Sequence, residues 1–62
     1  MEKINPKRYY TPKEMAEYLK VQTRTITREV ERGNLQGLRV GRQIRFLGES
    51  ILEYIAKNQI RN

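Results

Sequence analysis

The apolar residues of this chain change their spacing after Asn34, and this change limits the folds that are open to it. Before Asn34 they recur at the three- and four-residue intervals of a helix. Between Leu38 and Phe46 they alternate with polar residues, as in a strand, and helical spacing returns from Ile51. The pattern predicts a helix pair, a β-hairpin and a last helix, which together make a small α+β fold.

The first predicted helix has a complete start signal. Thr11 suits the N-cap, Pro12 suits the first helical position, and Glu14 completes a capping box. An apolar stripe follows at helical spacing. We expect this helix to run from Pro12 to Leu19 or Lys20.

A second helix follows after a turn of about three residues. Ile26 and Val30 stand four positions apart, and Gly33 suits the left-handed position that closes a helix. We expect the helix at residues 23–32, with Thr23 as its cap. Two helices joined this closely form a helix-turn-helix.

The outer face of the second helix is rich in arginine and threonine. Its members are Thr23, Arg24, Thr27, Arg28 and Arg32. Arginines spaced four apart repel each other by a few tenths of a kcal/mol per pair, so the series favours a polyanion on that side. The alternative interpretation is a solvated helix face, which the acidic Glu31 favours.

The segment LRVGRQIRF, residues 38–46, leaves two hairpin registers open. A two-residue loop at 41–42 would turn Ile44 toward the arginine side. A three-residue loop at 41–43 places all four apolar residues on one face. We therefore expect the three-residue loop, with the apolar face covering the core.

The same segment carries three arginines. In the expected register Arg39 and Arg45 share the outer face, and Arg42 lies at the tip. Like charges placed opposite each other destabilise a hairpin, so the arrangement favours phosphates as the missing negative charge. Protection of an edge strand against aggregation is the alternative explanation.

The last helix is expected to open at Gly48, with Ile51 and Ile55 facing the core. Leu52 and Ile60 are then left on the surface, where they could contact a neighbouring protein. Their signal is weaker than that of the arginines.

Positive charge is concentrated in the middle of the chain. The net charge is +6, and residues 20–45 hold seven cations and two acids, a net of +5. Six of those seven cations are arginine, which favours planar recognition of phosphate or guanine.

Several classes of function are excluded by what the sequence lacks. The chain has no cysteine and no histidine, so a disulfide framework, a thiolate zinc site and a histidine base are ruled out. No apolar run approaches the roughly 20 residues of a membrane span. We expect no catalysis, metal, cofactor, small-molecule ligand or membrane contact, and a cytoplasmic location.

In this order the residues resemble the excisionase-type winged helix-turn-helix domains, which are related to the DNA-binding half of MerR-type regulators. The resembling positions are Tyr10–Leu19, Val21, Thr25, Ile26, Arg28, Gly33–Leu35, Leu38–Arg42, Ile44–Phe46, Glu49–Ile51, Tyr54 and Ile55. Lys20, Gln22 and Glu29 depart from the family pattern.

The resemblance implies three helices with a two-stranded antiparallel wing between helices 2 and 3. It implies that helix 2 enters the major groove and that the wing lies on the adjacent minor groove or backbone. The implied function is non-catalytic DNA binding and bending, which helps a tyrosine-recombinase integrase excise a mobile element. Head-to-tail self-association along repeated DNA sites is expected with it.

The expected DNA contacts fall into two groups. Base edges are assigned to Thr23, Arg24, Thr27 and Arg28. Phosphates or the minor groove are assigned to Lys13, Lys20, Arg32, Arg39, Arg42, Gln43 and Arg45.

Residues 1–8 are expected to form a flexible basic lead-in, residues 9–58 the domain and residues 59–62 a tail.

Two alternative functions stay open. One is a small transcriptional regulator or plasmid-maintenance protein of the same fold in the prokaryotic cytosol. The other is a basic adaptor that binds an acidic protein and has no preference among DNA sequences.

Overall fold

The computed structural model describes residues 3–60. Its elements are β1 (Tyr9–Tyr10), α1 (Pro12–Leu19), α2 (Thr23–Glu31), β2 (Leu38–Val40), β3 (Gln43–Leu47) and α3 (Gly48–Lys57). The α+β prediction of three helices and a hairpin is confirmed, and the arrangement is consistent with a winged helix-turn-helix. The first two residues of the expected lead-in and the last two of the expected tail lie outside the described residues.

The start of α1 is fixed by the predicted capping box. The Glu14 amide donates to Thr11 Oγ1 at 3.0 Å, and the Thr11 amide donates to Glu14 Oε1 at 2.9 Å. An N-cap of this kind stabilises a helix by about 1 kcal/mol. The local signal was sufficient, and the predicted start at Pro12 is confirmed.

The turn between α1 and α2 is built on a left-handed residue. Lys20 has φ 59 and ψ 44, and the Val21 amide donates to the Ala16 carbonyl at 2.9 Å. A residue with a Cβ pays roughly 1 kcal/mol for this conformation. The fold therefore accommodates Lys20, which departs from the family pattern, in the left-handed position of the turn. This turn sets the direction of α2.

The prediction that Thr23 caps α2 was wrong. Gln22 is the N-cap, its side chain makes no capping bond, and Thr23 is the first helical residue. The helix ends at Glu31, one residue before the predicted end. The predicted left-handed glycine follows it, since Gly33 has φ 79, and the Asn34 amide donates to the Glu29 carbonyl at 2.9 Å. With no side-chain cap, α2 depends on packing at its start.

The core is small and draws on every helix. Its buried members are Met15, Ala16, Ile26, Leu35, Phe46 and Ile51. Phe46 has the largest fully buried side chain, so β3 anchors the sheet to the helices.

Within residues 3–60 no helix combines the length and hydrophobicity that a membrane crossing requires.

The sheet has three strands in the order β1-β3-β2, whereas the sequence predicted two. Tyr9 pairs with Leu47 and Tyr10 pairs with Phe46, both antiparallel. A two-residue strand carries no alternation that periodicity can detect. The added strand makes β3 central and leaves β2 at an edge.

The predicted hairpin register was wrong. Leu38 pairs with Arg45, Arg39 with Ile44, and Val40 with Gln43, so the loop has two residues, at 41–42. Gly41 has φ 62 and Arg42 has no positive φ, which fits the two-residue turn that requires glycine first. Turn chemistry prevailed over the burial of four apolar side chains.

This register places the side chains of β2 on the faces opposite to those predicted. Leu38 and Val40 are 48% and 58% exposed on the outer face of the sheet, and they do not cover the core. Arg45 shares that outer face, while Arg39 lies across from Ile44 on the inner face. The prediction that Arg39 and Arg45 share a face is therefore also wrong.

Replacing Val40 with threonine tests the register directly. In the observed register Val40→Thr changes an exposed strand position, and the free energy of unfolding should shift by less than about 0.5 kcal/mol. Ile44→Thr, on the half-buried inner face, is the matched control and should cost about 1 kcal/mol or more. Urea denaturation measures both, and a larger loss for Val40→Thr would restore the three-residue loop.

The start of α3 is capped by residues that precede β1. The Gly48 amide donates to the Arg8 carbonyl at 2.8 Å, and the Glu49 amide donates to the Pro6 carbonyl at 3.1 Å. Ile4 packs against the core, and the Asn5 amide donates to the Tyr10 hydroxyl at 2.8 Å. These bonds satisfy amides that a helix start leaves open. The division of the chain at 1–8, 9–58 and 59–62 stays a prediction.

Candidate nucleic-acid interface

The outer face of α2 is the side turned away from the core, and the angle about the helix axis from a buried residue identifies its members. Ile26 is 1% exposed and marks the inner side. Arg24 and Arg28 lie about 160° around the axis from Ile26, on opposite sides of the far face. Thr27 lies about 100° from Ile26 and Thr23 only about 60°, so Thr23 is nearest to the core. Of these residues of α2, the two arginines therefore point most directly away from the buried side of the helix.

Within the described part of the chain, the guanidinium groups of Arg24 and Arg28 make no contact that would occupy them. Among residues 3–60, Arg24 and Arg28 have no ion-pair or hydrogen-bond partner, and both are exposed. Thr27 donates its hydroxyl to the Thr23 carbonyl at 3.4 Å, which is at the long limit for such a bond. The face thus presents two uncommitted planar cations one helical turn apart.

Arg32 behaves differently from the other two arginines of the helix. It is the C-cap of α2, and its Nη1 lies 3.8 Å from Glu29 Oε2, with the arginine side chain 69% exposed. This is the one ion pair within residues 3–60. An exposed pair contributes about 0–1 kcal/mol, so Arg32 can exchange its partner for a phosphate at little cost.

Glu29 bonds to α3, which sequence reasoning did not anticipate. The Tyr54 hydroxyl donates to Glu29 Oε1 at 2.6 Å, and Asn34 Nδ2 donates to Oε2 at 3.3 Å. The Tyr54 bond, with help from Asn34 and Arg32, lowers the pKa of Glu29, and the same bond to a carboxylate raises the pKa of Tyr54. The only sequence signal was a charged residue in a slot where the helix pattern favours an apolar one.

These two pKa shifts define the range over which the bond stabilises the fold. A glutamate with a lowered pKa stabilises the fold above its ordinary pKa of 4.5, and the contribution is lost as the pH falls through the lowered value. A tyrosine with a raised pKa contributes below its ordinary value of 10.0 and loses the contribution as the pH rises through the raised value. The Glu29–Tyr54 bond is thus intact around neutral pH.

The three arginines of the hairpin lie in different places. Arg42 is exposed in the loop, and Arg39 is exposed on the inner face across from Ile44. Arg45 is half-buried on the outer face, where its guanidinium donates to the Ile44 carbonyl at 2.9 Å and to Gln43 Oε1. The hairpin therefore joins Arg45 to Gln43 and separates Arg45 from Arg39.

The two lysines assigned to phosphates lie at the two ends of α1. Lys13 lies in the first turn of α1 and Lys20 in the left-handed turn after it, and both are exposed. The first helix of a helix-turn-helix crosses the phosphate backbone. Both positions fit that assignment, which stays a prediction.

The outer face of the sheet carries an apolar groove that the sequence analysis missed. The groove has a volume of about 420 Å³ and is lined by Tyr9, Leu38, Val40, Gln43 and Arg45. The signal that could have found it is Gly41 in the first position of a two-residue turn, because that turn sets the register. Leu52 and Ile60 are 40% and 90% exposed, and their assignment to protein contacts stays a prediction.

Comparison with known families adds one finding. Residues 9–59 match the model of a family described as a helix-turn-helix domain. That range contains every helix and strand described above and every residue assigned to DNA. Neither the curated proteins nor the solved structures contain a match to the chain.

Proposed function

The chain belongs to the helix-turn-helix domain family, which implies DNA binding, and from that premise we propose that it acts as an excisionase. In this function a non-catalytic protein binds and bends specific duplex sites. It thereby helps a tyrosine-recombinase integrase excise a mobile element in a prokaryotic cytosol. The arrangement of residues from Tyr10 to Ile55, which resembles the excisionase-type domains, supports this choice within the family.

The observation that carries the DNA-binding proposal is the free arginine face of α2. Arg24 and Arg28 project away from the buried Ile26 and have no partner within residues 3–60. In helix-turn-helix proteins the second helix lies in the major groove. There arginine can donate two bonds to guanine, and the methyl group of Thr27 can contact a thymine methyl.

The proposed phosphate contacts lie elsewhere in the helix-turn-helix and in the wing. Lys13 is in the first turn of α1, Lys20 is in the turn after it, Arg32 is the C-cap of α2, and Arg42 lies at the wing tip. The tip can reach the backbone or the minor groove whichever face of the sheet adjoins the duplex. Because Arg39 and Arg45 lie on opposite faces, Arg42 is the wing arginine on which the proposal depends most.

Arg28→Ala and Arg42→Ala should affect DNA binding in different ways. A duplex selected from a random pool serves as the specific probe and its scrambled version as the control. Arg28→Ala should lose about 1–3 kcal/mol on the selected duplex and much less on the scrambled one. Arg42→Ala should weaken both duplexes to a similar extent, because a phosphate contact carries no sequence information.

Fluorescence anisotropy with both labelled duplexes measures these effects. Equal losses on both duplexes for Arg28→Ala would contradict the assignment of α2 to base edges. Wild-type protein with no preferred sequence, but with binding to an acidic protein, would favour the adaptor alternative.

The excisionase role itself needs an excision assay. An excisionase is expected to be encoded beside an integrase gene and attachment sites, which would provide the substrate, and added protein should raise the yield of excised circles. Protein that binds DNA with sequence preference but leaves excision unchanged would favour a transcriptional regulator or plasmid-maintenance protein.

Exposed apolar surface supports the proposed self-association or integrase contact. It lies in the groove at Tyr9, Leu38 and Val40 and at Leu52 and Ile60.

A further inference from the structure

Glu29 occupies a position where the fold would be expected to place an apolar side chain. It lies about 60° around α2 from the buried Ile26, and its side chain is only 16% exposed. Removing a carboxylate from water is unfavourable unless hydrogen bonds replace the lost hydration. Glu29 meets that requirement with Tyr54 at 2.6 Å and Asn34 at 3.3 Å.

The partners of Glu29 come from three parts of the chain. Tyr54 belongs to α3 and is 25 residues away, Asn34 belongs to the segment after α2, and Arg32 is the cap of α2 itself. The carboxylate therefore joins the arginine-bearing helix to the last helix and to its own exit.

The bond between Glu29 and Tyr54 restricts rotation of α2 in a way that core packing does not. Apolar burial is non-directional, whereas a hydrogen bond to a carboxylate weakens steeply when its angle is lost. Glu29 directly follows Arg28 in the helix, so a rotation of α2 that breaks the bond also turns Arg24 and Arg28.

We infer that Glu29 and Tyr54 are positioning residues, whose bond holds α2 at the rotation in which Arg24 and Arg28 meet base edges. This inference rests on the proposed DNA-binding function. Binding groups need to be held within about 0.5 Å of their productive geometry. Phosphate contacts from the wing and from α1 tolerate larger displacements, so the bond governs discrimination between sequences more than overall affinity.

The double variant Glu29→Leu/Tyr54→Phe separates positioning from stability. Replacing both partners with apolar groups leaves no unpaired buried atom, so thermal unfolding should remain near that of the wild type. The ratio of affinities for the selected and scrambled duplexes should nevertheless fall about tenfold. A double variant with normal stability and an unchanged ratio would overturn the inference.

The matched control is Tyr18→Phe. Tyr18 is also half-buried, and its hydroxyl has no hydrogen bond with residues 3–60, so the affinity ratio should not change. The single variant Glu29→Gln provides partial rescue, because its amide oxygen can still accept from Tyr54. Its ratio should fall between those of the wild type and the double variant, and a ratio no better than that of the double variant would count against the inference.

A measurement without DNA distinguishes failure of the inference from failure of the proposed function. Residual dipolar couplings of the α2 amides report the orientation of α2 relative to α3. They should change in the double variant and stay unchanged in Tyr18→Phe. Unchanged couplings in the double variant would overturn the positioning role whether or not the protein binds DNA, whereas changed couplings in a protein without DNA preference would leave the bond's role in orientation intact and remove the proposed function.

Discussion

Affinity for duplex DNA is expected to fall by a few hundred-fold as monovalent salt rises from about 50 mM to about 200 mM. The proposed phosphate contacts of Lys13, Lys20, Arg32 and Arg42, with the exposed Arg39 as a fifth, would each release bound counterions from the duplex. The logarithm of the association constant should therefore fall with the logarithm of salt at a slope of about −4 to −5.

A titration of a labelled duplex over several salt concentrations measures this slope. Arg42→Ala should reduce its magnitude by about one, because one phosphate contact is lost. Glu53→Gln, on the exposed side of α3, is a charge-changing control outside the assigned contacts and should leave the slope nearly unchanged. A wild-type slope near zero would remove the electrostatic basis of the proposal.

Gly48→Ala is expected to destabilise the domain by about 1–3 kcal/mol, since the added methyl group has no room. A Cβ at Gly48 would overlap the carbonyl oxygen of Asn5 and lie 2.7 Å from its carbonyl carbon and 3.0 Å from Ile4 Cγ2. Two of these three atoms belong to the backbone, so a side-chain movement cannot relieve the overlap. Urea denaturation at neutral pH measures the loss.

Helix propensity alone predicts the opposite sign, because alanine in a helix is favoured over glycine by about 1 kcal/mol. The control is the same substitution in a chain that begins at Pro6, where the clashing atoms of Ile4 and Asn5 are gone. There Gly48→Ala should be neutral or stabilising. A stabilising effect in the full chain would show that residues 4–8 do not cap α3 as described.

Sequence analysis succeeded where the determinants are local. The capping box at Thr11 and Glu14 fixes the start of α1, and the left-handed Gly33 follows the end of α2 as predicted. The outward direction of Arg24 and Arg28 follows from the helical period once Ile26 is known to be buried. These features depend on residues no more than four positions apart.

The failures involve contacts between distant residues or a choice between two local rules. In the hairpin, burial of Leu38 and Val40 competed with the turn preference of Gly41, and a one-residue slip moves every side chain of a strand to the other face. The Glu29–Tyr54 bond spans 25 residues, and no period in the sequence indicates it. Two residues were too few to predict β1.

The wrong register changes the proposed interface in a specific way. The sequence favoured one wing face that presents both Arg39 and Arg45, whereas the structure ties Arg45 to Gln43 on the face opposite Arg39. The arginine face of α2 is unaffected by this correction. The proposal consequently depends on α2 and the wing tip.

Site-directed cleavage of DNA tests most directly whether α2 and the wing tip meet one duplex. The chain has no cysteine, so a variant with one added cysteine can be labelled with an iron chelate at that position alone. The two variants are Glu31→Cys, on the outer side of α2, and Val40→Cys, beside the wing loop. On the selected duplex we expect cuts from Glu31→Cys in the major groove and cuts from Val40→Cys in the adjacent minor groove, within about one helical turn (10 bp). Localised cuts from only one of the two positions would contradict the account.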